Sequence, residues 1–76
     1  MEIKEFVNEF AGLFEETPIE VFKANSEFKE FEEWSSLTAL AVIAMVDEEF
    51  GISIKAEEIR SVETIEELFN LVKSNT

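Results

Sequence analysis

The chain has 76 residues, 18 acidic against 6 basic for a formal charge of -12, and neither histidine nor cysteine. Disulfides, thiolate nucleophiles, imidazole metal ligands and the usual hydrolytic triad are therefore excluded. So acidic a surface repels nucleic acid and anionic membranes and attracts electropositive proteins, while 46% hydrophobic residues, including eight Phe, suffice for a core.

Ile3, Phe6, Val7, Phe10, Leu13 and Phe14 recur at steps of three and four and predict an amphipathic helix over 2–15. Its end is expected near Thr17-Pro18, since the residue before a proline avoids the helical region. Thr17, Pro18 and Glu20 match a capping box with proline at the first helical position. Residues 19–35 have no sustained period and read as a long loop. Val21, Phe22, Phe28, Phe31 and Trp34 give it the means to pack down.

A third segment, 36–50, reads as a helix that is apolar nearly all round. Ser35 or Ser36 can cap its start, and Gly51 can end it. Ala39, Val42, Ile43, Val46 and Phe50 fall on one face; Leu37, Leu40, Ala41, Ala44 and Met45 cover much of the remainder. A chain this small cannot wrap such a helix completely, so an exposed apolar stripe is expected, the kind of surface that docks partners. Beyond Ile52 and Ile54, a short helix over 56–60 turns Ile59 inward. Thr64 and Glu67 form a second capping box opening a last helix over 64–73, with Ile65, Leu68, Phe69 and Val72 on one face. The expected fold is an all-α antiparallel bundle of three main helices plus a short one, monomeric, in one domain over 1–76. The N-terminal MEIKEFVNEF lacks the basic and apolar regions of a signal peptide, and the longest apolar run, 39–46, is too short to span a bilayer. A cytoplasmic protein without membrane insertion is expected.

Chemistry-bearing motifs are sparse. Ser26 and Lys29, in the loop, have serine–lysine spacing, but the lysines lie in surface-like contexts and such pairs are rare, so no catalytic pair is expected. Glu30, Glu32 and Glu33 do not follow the calcium-loop pattern and read as a solvated acidic face, so no metal is expected. What remains is Trp34-Ser35-Ser36-Leu37 at the start of the apolar helix, where a serine by physics alone is a cap.

Ser36-Leu37, followed by the run from Ala41 to Gly51 with Glu48-Glu49-Phe50-Gly51 at its close, resembles the second-helix signature of acyl carrier proteins. The resemblance extends to the first helix, Phe28, Ile54, the acidic Glu57-Glu58 and Thr64. It implies a carrier rather than an enzyme, with 4′-phosphopantetheine from coenzyme A attached at Ser36 and acyl intermediates of fatty-acid or related lipid or polyketide-type synthesis borne on it as thioesters. It implies an acyl pocket lined by Phe28, Val42, Ile43, Val46, Ile54, Ile59, Val62 and Leu68, which are also core residues by their helical phase. Docking is expected through Leu37, Ala41, Met45 and Glu48 on the exposed side of the helix, with Asp47, Glu49, Glu57 and Glu58 steering, because these positions combine apolar contact with nearby negative charge. The partners would be a phosphopantetheinyl transferase and acyl-processing enzymes with basic patches. Ser35 stands where the family has Asp, and Thr38 and Ala41 where it often has acids, which bears on which enzymes are served. The alternative is an unmodified acidic helical adaptor that binds a basic or apolar groove.

Overall fold

The computed structural model describes residues 2–75. They form helices α1 (Ile3–Ala11), α2 (Ser36–Phe50), α3 (Ala56–Arg60) and α4 (Ile65–Ser74), with single 3₁₀ turns at Ile19–Val21 and Phe28–Glu30 between α1 and α2. No strand occurs among the described residues; one isolated antiparallel bridge joins Glu27 to Thr64. The fold is thus an all-α bundle in which α1 packs on α4 and α2, and α2 on α3.

The caps of the later helices match the sequence reading. Gly51 ends α2 at φ 66°, where its missing Cβ avoids the left-handed penalty. At α4 the Glu67 amide donates to Thr64 Oγ1 at 3.1 Å while the Glu67 carboxylate accepts from the amides of Glu63 and Thr64. That reciprocal arrangement satisfies amides the helix cannot.

The first helix departs from expectation. It stops at Ala11 rather than near 15, and Leu13 and Phe14 donate to the carbonyls of Phe10 and Ala11, three residues back, in a tightened last turn. The next amides turn away to a distant acceptor. Glu15, Glu16 and Thr17 donate their backbone N–H groups to the Glu33 carboxylate at 3.1, 3.1 and 2.6 Å, and the Thr17 hydroxyl joins them. The Thr17-Pro18-Glu20 capping box therefore does not form: Pro18 precedes the first 3₁₀ turn with no side-chain cap. A charged acceptor binds amides more strongly than a neutral cap, and here it also ties the end of α1 to the residues just ahead of α2. These bonds, the Thr17 hydroxyl foremost and then the three amides, hold Glu33 below the ordinary glutamate range against the opposing effect of burial.

The core is largely aromatic. Phe6 meets Phe69 at 5.5 Å and Phe50 at 5.7 Å between ring centroids, joining α1 to α4 and α2. Phe28 is fully buried and lies edge-on between Phe10 (5.3 Å) and Trp34 (4.9 Å). Phe14, Phe22 and Phe31 contact one another at 5.0 to 5.9 Å, so the long loop is packed down as expected. Each such pair contributes about 0.5–1.5 kcal/mol beyond the area it buries. Among the described residues, no charged or polar residue is buried.

Candidate functional site

The chain before α2 is held on both sides, and this sets the start of the helix. The Glu33 side chain grips residues 15–17, and its carbonyl accepts from Thr38 Oγ1 at 2.7 Å. Ser35 is extended (φ -157°) and caps α2, its Oγ accepting the Thr38 amide at 3.4 Å and lying 3.3 Å from Thr38 Oγ1. Ser36 is the first helical residue. It is exposed, and its hydroxyl makes no hydrogen bond among the described residues. The two adjacent serines are thereby distinguished: one is engaged as a cap, the other is available. The amides of Ser36 and Leu37 lie in the first turn, have no intrahelical acceptor and stand at the positive end of the helix dipole.

Beside Ser36 opens a hollow of about 320 Å³ lined by Lys29, Trp34, Ser35, Ser36, Ala39, Leu40, Ala56, Ile59 and Arg60. It arises where α3 packs on α2 and the aromatic loop closes the remaining side. Of the residues expected in an acyl pocket, Ile59 alone lines this hollow. Phe28, Val42, Val46, Ile54, Val62 and Leu68 are buried in the core cluster, and Ile43 is half-buried against it. The expected pocket is thus filled by its own side chains, Phe28 being wedged between two aromatic rings. The sequence reading did not place Lys29, Trp34, Ala39, Leu40, Ala56 or Arg60 at the site. Leu40 was legible as part of the apolar stripe, whereas the others come together only through tertiary packing.

The residues expected to dock partners are also redistributed. Leu37 and Leu40 are 78% and 59% exposed, and Ala44, Asp47, Glu48 and Glu49 are exposed with them. Met45 is not on the outer side: it is only 5% exposed, and Ala41 is half-buried. The helix packs on both α1 and α3, so its buried arc is wider than one stripe, and the flexible thioether turns into it. Glu57 is exposed. Glu58 is committed within the chain, accepting the Lys55 amide at 2.8 Å and Asn75 Nδ2 at 3.2 Å. The Lys55 amide first, and then Asn75, hold its carboxyl below the ordinary range. Among the described residues no cluster could hold a metal ion, and no helix is long and apolar enough to cross a membrane.

The family model described as the phosphopantetheine attachment site matches residues 2–72. The chain belongs to that family of carrier domains, whose prosthetic group is 4′-phosphopantetheine; it is not an enzyme. No curated protein and no solved structure matches it. The residues around the start of α2 fit the group: the Ser36 hydroxyl, the first-turn amides and the cations Lys29 and Arg60 suit a phosphodiester, and Trp34, Leu40 and Ile59 suit the apolar parts of an arm.

Proposed function

We propose that Ser36 carries the 4′-phosphopantetheine and that the chain, as a cytoplasmic monomer forming one carrier domain, presents acyl groups to enzymes of fatty-acid or related lipid or polyketide-type synthesis. The observation that carries the attachment is the contrast between the serines: Ser35 Oγ is taken by the helix cap, while Ser36 Oγ is exposed and unbonded beside the hollow. When attached, the arm supplies a terminal thiol that bears acyl groups as thioesters. The protein's own residues position it and offer shelter. Ile59 belongs both to the wall of the hollow and to the core cluster with Phe28, Val42, Val46, Ile54, Val62 and Leu68. An acyl chain too long for the hollow would enter between them, displacing side chains in its path.

Docking in this proposal centres on Leu37, with Leu40 beside it and Ala41 at the edge, while Asp47, Glu48, Glu49 and Glu57 draw in a basic partner. The phosphopantetheinyl transferase and acyl-processing enzymes would offer Arg or Lys around an apolar hollow. Glu48→Lys should then slow association with them.

Intact mass after incubation with coenzyme A and a broad-specificity phosphopantetheinyl transferase tests the attachment. Wild type should gain one phosphopantetheine, Ser35→Ala should retain the gain, and Ser36→Ala should lose it. Ser35→Asp, which restores a charge beside the site, should speed the reaction. Modification that persists in Ser36→Ala would place the arm elsewhere.

A further inference from the structure

The wall of the hollow differs in charge from the rest of the chain. Acids outnumber bases 18 to 6 overall, yet none lines the hollow, and two of the six bases, Lys29 and Arg60, do. They arrive from separate parts of the fold, Lys29 from the second 3₁₀ turn and Arg60 from the end of α3. Lys29 Nζ donates to the Arg60 main-chain carbonyl at 2.8 Å, fixing the ammonium at the last turn of α3, where the helix dipole favours a cation. Its outer side borders Glu27, Glu30 and Glu63. The Arg60 guanidinium makes no hydrogen bond or ion pair among the described residues, so its donors remain available to a ligand.

We propose that Lys29 and Arg60 hold the phosphodiester of the arm and thereby lay the arm across the hollow, over Trp34 and Leu40, rather than along the acid-flanked outer side of α2. The inference rests on attachment at Ser36, which puts the phosphate in the same hollow as both cations. A tethered anion meets them at an effective concentration of millimolar order or above, so modest surface contacts suffice to bias where the arm lies. No acid lies in the first turn of α2, and Asp47 and Glu48 stand about 16–18 Å along the helix from Ser36, beyond the screening length, so the two cations set the bias. An arm resting on the hollow is protected between encounters, and a partner that engages the anion itself would release it.

Trp34 is the single tryptophan and lines the hollow, so its fluorescence reports the arm directly. The test compares acrylamide quenching of apo protein with holo protein bearing a free thiol, after mass spectrometry has located the group. Wild-type holo protein should be quenched less than apo protein. Arg60→Gln, which leaves the Lys29 bond to the main-chain carbonyl in place, should halve that difference or more, and Lys29→Gln with Arg60→Gln should remove it. The ³¹P signal of the holo protein should move toward its position in urea-unfolded protein in the same order. Apo melting temperatures close to wild type would show that Arg60→Gln is folded. Equal quenching of apo and holo wild type, or full protection and an unmoved ³¹P signal in Arg60→Gln, would overturn the proposal. So would an effect of Arg60→Gln that appears only when the thiol bears an acid-terminated acyl group, since the bound anion would then be the cargo's carboxylate. A mass gain absent from Ser36 would overturn the attachment itself and this inference with it, and the mass spectrum identifies that failure before any quenching is read.

Discussion

Replacing Met45 and Leu40 in turn by glutamate separates the core from the proposed docking face of α2. Both lie on the same apolar helix five residues apart, yet Met45 is 5% exposed and Leu40 59%. At position 45 the substitution forfeits about 1.5–3 kcal/mol of side-chain burial. It also places a carboxylate among Val42, Val46 and their neighbours with no cationic partner, which costs several kcal/mol more or forces the helix end outward. A total of at least about 3 kcal/mol is a large part of the roughly 4–11 kcal/mol expected for a domain of this length. At about 4–8 °C per kcal/mol it lowers the melting temperature by about 12–24 °C. Leu40→Glu should stay within about 0.5 kcal/mol, or about 4 °C, because its site is already solvated. Thermal melts followed by far-ultraviolet circular dichroism read both values, and Met45→Leu, at less than about 1.5 kcal/mol, controls for volume. Transfer assays should show the reverse order, with Leu40→Glu well folded but slow to engage partners. A Met45→Glu protein melting within about 4 °C of wild type would refute the buried placement and return Met45 to the docking face.

Other outcomes follow from the same geometry. Glu33 has a depressed folded-state pKa, so its contribution is complete above the ordinary glutamate range and lost as pH falls through the lower folded value. The difference in melting temperature between wild type and Glu33→Gln should therefore be largest near neutrality and shrink under acid; a difference unchanged from pH 7 to pH 3 would show that the charge is irrelevant to the clasp. Gly51→Ala should cost about 1–2 kcal/mol because φ is 66° there. Gly12→Ala should instead stabilise by about 0.4–1 kcal/mol, since φ is -64° and the added Cβ would meet only ordinary contacts at 3.5 and 3.6 Å; denaturant midpoints with unchanged m-values check both. Added salt should raise the melting temperature, because a charge of -12 on a body whose longest extent is 30 Å repels itself; a steady fall from low to moderate ionic strength would contradict this.

Much of this protein is determined by local rules acting on its sequence. Helices α2 and α3 have the expected bounds and α4 lies one residue beyond its expected 64–73, because Ser35, Thr64 and Gly51 act through bonds and dihedrals a few residues away. Ser36 was legible as the proposed attachment residue only through the ordered resemblance of its surroundings; locally, either serine could have been the cap. The tertiary structure decided what depends on groups far apart in the chain. α1 ends early because a carboxylate from residue 33 competes for the amides of residues 15–17, which no local pattern announces. Met45 is buried because two helices, α1 and α3, share α2 and widen its inner arc. The hollow beside Ser36 exists because Trp34, Leu40, Ile59 and Arg60 converge there from the loop, α2 and α3. Periodicity shows which side of a helix is apolar, but only the packing of its neighbours fixes which apolar residues meet solvent, and a cavity belongs to no single segment of sequence.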